Sequence, residues 1–441
     1  MKKNFRNMMM LAAVCLMGMG TTACSSSNDD DNTPVNTAEE QNSDIQKLAD
    51  SYLSNVVYPT YQNLANETEN LYNLISTLKT KLKAESQVSQ TDVDNICNSY
   101  LKARKYWEQS EAFLYGAASD FEIDPHIDTW PLDVPTLGKD LADDNKIASL
   151  DDADGIDFAR TFLTPENLGF HGIEFIFFRD GNHRSAAFFN NDEEETDKDI
   201  AANGEVTAVE EVIFATAVAG DLRDKCYQLE VAWLGSKANS AHAARVAECA
   251  KTSDDFETKV DGMSYGERLL AVGANNFYKS WKKVMEEILV GGCSNICAEV
   301  ADQKMGQAYR ASTSASTTYH EGEDGQLEAD DPNYIESPYS HNSFQDFYDN
   351  IMSIQNSLYN TIETESVLDP SVMAYLVKYN PEGAIALQTK LQAALAALKA
   401  CQQSGKSFVE NPGAPYVKTA MDAIEELDTE LNAQAAWILR N

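Results

Sequence analysis

Basic residues are scarce in this chain. Its 441 residues include 34 Lys and Arg against 70 Asp and Glu, a formal net charge of −36 at pH 7. A surface this acidic repels the phosphates of nucleic acids and of anionic lipids, so we expect no nucleic-acid partner. Cations, metal chelates and basic peptides remain compatible with it.

Cysteine is also sparse, with eight in the whole chain, two of them within the first 24 residues. Six in a chain of this length are too few for a disulfide framework, and the CxxC pairs expected of a zinc cluster are missing. We treat the six as optional cross-links: Cys293 could bridge to Cys297, and Cys226 to Cys249. The six are Cys97, Cys226, Cys249, Cys293, Cys297 and Cys401.

Long apolar runs are absent after residue 24, so nothing there predicts a membrane-spanning helix. Residues 1–23 read as a signal peptide, with a basic start and a short apolar stretch at 8–19. Thr21-Thr22-Ala23-Cys24 resembles a bacterial lipobox, which predicts lipidation of Cys24 and a membrane anchor. Residues 24–42 are polar and predict a flexible tether.

The acidic run Asp29-Asp30-Asp31 resembles an export signal for lipoproteins of the bacterial outer membrane. We therefore expect an outer-membrane lipoprotein. Whether it faces the medium or the periplasm stays open.

Strand-type alternation is scarce, and apolar residues recur at three and four positions, which indicates helices. The sequence predicts an all-α fold of two related helical domains, resembling four-helix bundles, at 43–203 and 204–441, with a cleft between them. Residues 121–165 break the pattern and predict a long loop-rich connection. The expected helices lie at 45–56, 64–82, 93–115, 206–233, 241–250, 266–289, 344–362, 375–379, 384–401 and 417–439.

The segment Gly169-Phe170-His171-Gly172-Ile173-Glu174 places an imidazole and a carboxylate three residues apart among apolar neighbours. On a helix this spacing puts both side chains on one face, where they can hold a metal or act as an acid/base pair. A structural alternative is that Arg179 or another basic residue holds Glu174 while a backbone carbonyl holds His171.

The GxHxxE segment resembles the signature of the imelysin family, and three further blocks agree with that family in the expected order. They are Arg104 and Trp107 with the run from Ser110 to Gly116, then Thr129-Trp130-Pro131, and last the run from Glu336 to Ser343 with Asp346, Asn350 and Ile351.

The resemblance implies two four-helix bundles with a cleft, an extracytoplasmic bacterial location, an association with iron uptake, and a historical peptidase label. From the residue types themselves, we expect His171 and Glu174 to bind a metal or a metal-bearing ligand, with Glu111 in support. One nitrogen with carboxylate oxygens suits iron, copper or zinc, and the family's association with iron uptake places iron first. Iron-uptake components would be partners. The cleft would be lined by Arg104, Ser110, Trp130, Pro131, Glu336, Ser340 and His341.

Two other functions stay open. A metallopeptidase using the HxxE pair needs a third protein ligand, a general base and an electrophile, none of which the sequence assigns. A metal-free module that captures a peptide or glycan in the cleft needs only that His171 and Glu174 tie helices together.

Overall fold

The computed structural model of the protein describes residues 37–193, 195–204, 206–322 and 325–441. The predicted signal peptide and Cys24 lie outside the described residues, as does most of the predicted tether. No helix within the described ranges has the length and apolar character needed to cross a membrane.

The first half of the chain is built from three long helices and a series of short ones. The elements are α1 (Thr37–Tyr52), α2 (Tyr58–Lys83), α3 (Gln90–Glu108), α4 (Ala117–Asp120), α5 (Asp124–Ile127), α6 (Val134–Leu141), α7 (Asp144–Leu150), α8 (Gly155–Phe162), α9 (Gly169–Phe177), β1 (Phe178–Arg179), β2 (Asn182–His183), α10 (Ala186–Phe189) and α11 (Lys198–Ala201).

The second half again alternates long and short helices, with one small hairpin. Its elements are α12 (Ala208–Leu234), α13 (Ser240–Cys249), α14 (Tyr265–Leu270), α15 (Trp281–Glu286), α16 (Asn295–Ala298), α17 (Gly306–Thr313), β3 (Tyr319–Glu321), β4 (Leu327–Ala329), α18 (Ser343–Tyr359), α19 (Val372–Tyr379), α20 (Pro381–Gln402) and α21 (Pro415–Arg440).

Three π-helical and three 3-10 segments complete the helical structure. The π segments are Leu53–Val57, Glu287–Ser294 and Glu299–Lys304, and the 3-10 segments are Glu111–Phe113, Pro165–Asn167 and Gly235–Lys237. Within the part of the chain that the structure describes, the strands form two antiparallel pairs, β1 with β2 and β3 with β4. The all-α prediction is confirmed.

The long helices pack in two groups. α2 lies between α3 and α12, and α12 also contacts α8 and α9. α20 pairs with α21, which packs against the π segment Glu287–Ser294. α12 is buried on nearly every side, and its apolar residues are accordingly distributed all around the helix instead of forming one stripe.

α18 joins the two groups because it contacts both α3 and α20. One hydrophobic core runs through both halves of the chain, including Leu64 of α2 and Leu391 of α20. The division at residue 204 and the cleft stay predictions. α12 lies after that boundary in the sequence, and it packs against α2, which lies before the boundary.

Three local differences from the sequence-based prediction have clear causes. α1 begins at Thr37, inside the predicted tether, because Gln41 and Ile45 face the core while their polar neighbours remain exposed. The predicted loop at 121–165 contains α5 to α8, which are short helices started by Asp and Pro residues. The predicted helix at 266–289 is broken between α14 and α15, where Gly273 has a φ of +159° and Ser280 caps α15.

The six cysteines of the described chain are buried free thiols. The optional bridges Cys293–Cys297 and Cys226–Cys249 are therefore not formed. The fold relies on apolar packing and buried ion pairs.

α3 begins with a reciprocal cap. Ser89 Oγ accepts a hydrogen bond from Asp92 N, while Asp92 Oδ2 accepts one from Ser89 N at 2.9 Å. Lys81 of α2 donates to Asp92 Oδ1 at 2.7 Å, so the same carboxylate ties two helices. The hydrogen bond from Lys81, followed by the one from Ser89 N, lowers the pKa of Asp92 to about 2.

We expect Asp92→Asn to destabilise the fold by about 1 kcal/mol at pH 7, because the cap and the link to Lys81 are both weakened. The folded-state pKa lies below the ordinary value of 3.8, so this stability is present above pH 4 and is lost as the pH falls toward 2. Urea unfolding at pH 7 and pH 3 measures it. An equal loss at both pH values, or an equal loss for exposed Asp254→Asn, would contradict this account.

Candidate functional site: a buried ionic cluster

Gly169 sets the position of the signature helix. It opens α9 with a φ of +62°, and a Cβ on this residue would overlap the carbonyl oxygen of Ile127. Glycine therefore allows the first turn of α9 to lie directly on the end of α5. That close approach brings His171, two residues into α9, beside Asp128, which follows α5.

His171 lies between two carboxylates. Its Nε2 is 3.1 Å from Asp128 Oδ1 and its Nδ1 is 3.5 Å from Glu174 Oε2, so the predicted convergence of His171 and Glu174 is present. Burial by itself lowers the pKa of His171, but Asp128 and then Glu174 raise it overall to about 9. The imidazole therefore carries a proton at neutral pH and acts as a cation in this structure.

Asp128 is held by three side chains, those of Trp107, Arg104 and His171. It accepts a hydrogen bond from Trp107 Nε1 at 2.7 Å, and Arg104 of α3 forms an ion pair with it. Burial would raise the pKa of Asp128, but Arg104 and then His171 lower it well below its usual range. Asp128 is thus ionised.

Glu174 connects the signature helix to the loop before α18. Its Oε1 accepts hydrogen bonds from Tyr339 N at 3.2 Å, Ser340 N at 2.8 Å and Ser340 Oγ at 2.6 Å. Its Oε2 faces His171 and has no hydrogen-bond partner in the described chain. One oxygen of Glu174 is therefore committed to the loop, and the other remains open.

Arg104 links four parts of the chain. Its fully buried guanidinium contacts Asp128 and Glu336, lies 2.5 Å from Glu108 Oε1, and is 3.9 Å from Asp346 Oδ2. Its Cζ also lies 5.2 Å from the ring centroid of Phe170. The planar guanidinium can serve several carboxylates at once, which a single ammonium cannot do with the same geometry.

Lys304 is the second permanent cation of the cluster. Its Nζ lies 3.2 Å from Glu336 Oε1 and 3.5 Å from Glu111 Oε1, and 3.9 Å from Glu108 Oε2. It also lies 5.1 Å from the ring centroid of Trp130. Trp130 therefore lies near both Lys304 and protonated His171, because its ring centroid is also 6.0 Å from that of His171.

Carboxyl groups outnumber cations among the described residues of the cluster, but burial keeps some of these carboxyls protonated. The buried carboxyl groups outnumber Arg104, Lys304 and protonated His171 by two to one. Burial, the largest cause, raises the pKa of Glu108 and Glu111 well above the usual range and that of Asp346 to about 7. The six carboxyl groups belong to Glu108, Glu111, Asp128, Glu174, Glu336 and Asp346.

Two sets of ligand atoms within this cluster are close enough to hold a metal ion, each set lying within 4.8 Å. The first comprises Asp128, His171 and Glu336, and the second comprises Glu108, Glu111 and Asp128. Asp128 belongs to both. Several of these atoms lack a hydrogen-bond partner in the described chain, including both ring nitrogens of His171, Glu111 Oε2 and Glu336 Oε2.

The structure brings most of the sequence-predicted site residues together. Arg104, His171, Glu174, Trp130, Glu336 and Ser340 meet in the cluster, and Glu111 joins it through Lys304. Ser110 lies beside the cluster, where its hydroxyl donates to Trp107 O at 2.7 Å. Pro131 follows Trp130 and holds no cluster carboxylate.

His341 is the predicted residue placed elsewhere. It has a φ of +57°, and its ring packs over the backbone of Gly181 in the turn between β1 and β2. The neighbouring Ser340 reaches Glu174, so the loop turns the two adjacent side chains in different directions.

Sequence reasoning missed Glu108, Asp128, Lys304 and Asp346 as members of the cluster. Asp128 had a usable signal, because it lies two residues before Trp130-Pro131. Arg104 and Glu108 are four residues apart on a helix, a spacing that favours an ion pair. Lys304 had no usable signal in the sequence, because the segment around it contains no motif that indicates a site.

Fold and cluster together define an all-α protein with a buried, carboxylate-rich ionic centre. The chain belongs to the imelysin family, whose profile, described as Imelysin, matches residues 57–436. No curated protein matches this chain significantly.

Solved structures resemble the chain, and two of them span about nine tenths of it. One is assigned as an iron-regulated protein A precursor from Parabacteroides distasonis; it is 22% identical, with a TM-score of 0.63, and the match covers 90% of this chain and 95% of that chain. The other, an imelysin-like protein from Psychrobacter arcticum, is 14% identical with a TM-score of 0.49, over 90% of this chain and 94% of that one. The first similarity supports the fold.

We expect Gly169→Ala to destabilise the protein by about 3 kcal/mol or more, because a left-handed backbone and a clash with Ile127 add together. Gly262→Ala is the matched control: its φ is +80°, but no described atom lies within 4 Å of the added Cβ. It should cost about 1 kcal/mol. Chemical denaturation monitored by circular dichroism compares the two, and equal losses would mean that the contact between α5 and α9 is unimportant.

Arg104→Met should cost about 3–5 kcal/mol, because it removes one partner from several buried carboxylates. Lys378→Met provides a control, since Lys378 also pairs with two carboxylates, Glu40 and Asp44, but on the surface. Its effect should be far smaller. The free energy of unfolding of each variant is the measurement. Similar effects for both variants would show that Arg104 does not hold the cluster together.

Proposed function

We propose that this protein is an extracytoplasmic member of the imelysin family that binds a metal ion, iron first, in the buried ionic cluster as part of iron uptake. The Asp128, His171 and Glu336 set is the binding site. The predicted signal peptide and lipidation of Cys24 support attachment to the bacterial outer membrane. Iron-uptake components would be its partners.

The observation that carries the metal proposal is the convergence of buried carboxyl groups, twice as many as the cations, around His171. A buried carboxylate is costly unless it is paired, and a metal ion bound by Asp128, His171 and Glu336 would pair with carboxylate oxygens that lack a hydrogen-bond donor. Glu336 Oε2 is such an oxygen, whereas the protonated ring of His171 contacts Asp128 and Glu174 and has no lone pair to offer. To coordinate, His171 would exchange its proton for the ion.

The donor set favours a first-row transition metal. One imidazole nitrogen with carboxylate oxygens suits iron, zinc or copper, whereas calcium and magnesium prefer oxygen ligands alone. Iron is placed first because the relative from Parabacteroides distasonis is assigned as iron-regulated. That assignment belongs to the relative and supports iron here only by likeness.

The predicted roles of Glu174 and Glu111 change under this proposal. Glu174 Oε1 already accepts three hydrogen bonds, so Glu174 orients His171 and offers at most one oxygen. Glu111 falls in the second set of ligand atoms with Glu108 and Asp128. Asp128 and Glu336 replace them as the main carboxylate ligands.

Binding agrees better with the geometry than peptide hydrolysis does. The side chains of His171 and Glu174 are 1% and 0% exposed. A peptide bond cannot contact them in this conformation, and Arg104 and Lys304 already engage the surrounding carboxylates.

The test is metal affinity in matched variants. We expect calorimetry with anaerobic iron(II) and with zinc(II) to give about one ion per chain, and His171→Ala and Asp128→Asn to weaken affinity at least tenfold, about 1.4 kcal/mol. Removing His171 also removes a positive charge, which by electrostatics alone would strengthen cation binding. Weakening therefore reports a lost ligand.

His242→Ala is the control, because His242 is also buried and its Nδ1 lies 2.5 Å from Glu230 Oε2. It should bind metal like the wild type. Elemental analysis of natively purified wild type and His171→Ala should agree with calorimetry. Equal affinities in all variants would contradict the proposal.

A further inference from the structure

Lys304 is in an unusual position for a lysine. It ends the π-helical segment Glu299–Lys304, and its side chain is only 1% exposed. Its ammonium lies within 4.0 Å of four carboxylates, which come from three parts of the chain: Glu108, Glu111, Glu299 and Glu336. π-helical turns within helices are frequent at functional sites.

The ammonium does not satisfy the oxygens around it. It donates hydrogen bonds to Glu111 Oε1 and Glu336 Oε1. Glu111 Oε2 and Glu336 Oε2 have no hydrogen-bond partner in the described chain, although both side chains are buried. Since an ammonium has only three protons, these oxygens exceed what Lys304 can serve.

Lys304 and the proposed metal depend on the same carboxylate. Glu336 belongs to the ligand set with Asp128 and His171, and its Oε1 is the nearest carboxylate oxygen to Lys304 Nζ, at 3.2 Å. A metal bound by Glu336 would lie close to the ammonium. Two positive charges at such a distance in a buried site repel strongly, because little water screens them.

We infer that Lys304 is an internal cation that competes with the metal for Glu336 and the neighbouring carboxylates, an inference that rests on the proposed function. In the metal-free protein the ammonium stabilises the buried carboxylates. When a metal binds, Lys304 gives up Glu336. Lys304 thereby lowers metal affinity and favours release, which suits a protein that passes metal on.

The test is Lys304→Met, which keeps the length of the side chain and removes its charge. Zinc(II) and anaerobic iron(II) should bind this variant at least tenfold more tightly than the wild type, about 1.4 kcal/mol. Lys225→Met is the matched control. Lys225 is likewise buried, but its ammonium donates to the neutral oxygens of Gln228 and Asp255 O. Its removal should change affinity less than threefold.

The outcomes separate this inference from the proposed function. If the wild type binds metal through His171 and Lys304→Met binds no more tightly, the inference is wrong and the proposed function stands. If only Lys304→Met binds metal, Lys304 is the competing cation and the proposed function of the wild type fails. If neither protein binds metal, both are wrong.

A second measurement uses the wild type, in case Lys304→Met does not fold. Reductive methylation followed by peptide mass spectrometry reports the accessibility of each lysine. Saturating zinc(II) should raise the labelling of Lys304 at least threefold, because its contact with Glu336 is lost, and leave Lys225 unchanged. Unchanged labelling of Lys304 would overturn the inference.

Discussion

The contacts of Arg104 are the constraint on which the rest of the site depends. One buried guanidinium holds Glu108 from its own helix, Asp128 from the turn after α5, and Glu336 from the loop before α18. These segments are far apart in sequence, and each would be repelled by the others without the shared cation. The position of His171 depends on Asp128, because Arg104 and Trp107 hold this carboxylate beside the imidazole.

The cluster must both stabilise the fold and be able to accept a cation, and these two requirements usually conflict. Stability alone would favour equal numbers of buried positive and negative charges, or apolar residues in their place. Here carboxyl groups outnumber cations, burial keeps some of them protonated, and several buried oxygens lack hydrogen-bond partners within the described residues. Such an arrangement costs stability, and it is typical of a site that accepts a cation. The glycine at 169, the π segment ending at Lys304 and the loop held by Glu174 are the backbone features that assemble it.

Much of the fold could be predicted from periodicity, because long helices bury one stripe or all of their surface. The ranges expected around α2, α12, α20 and α21 agree with the structure. The short helices between residues 121 and 165 could not be predicted in this way, because four to eight residues carry too few apolar positions to show a period. In the site, the pairing of His171 with Glu174 was predictable because both lie on one helix.

The sequence by itself determined the all-α class, the acidic surface and the approach of His171 to Glu174, since each depends on composition or on spacing within one helix. The tertiary structure decided which other groups surround them. Asp128 and Glu336 reach His171, and Lys304 reaches Glu336, only because the fold brings together α5, the loop before α18 and the π segment that ends at Lys304. The charge balance of the cluster is a sum over all these segments, so no single segment could reveal it.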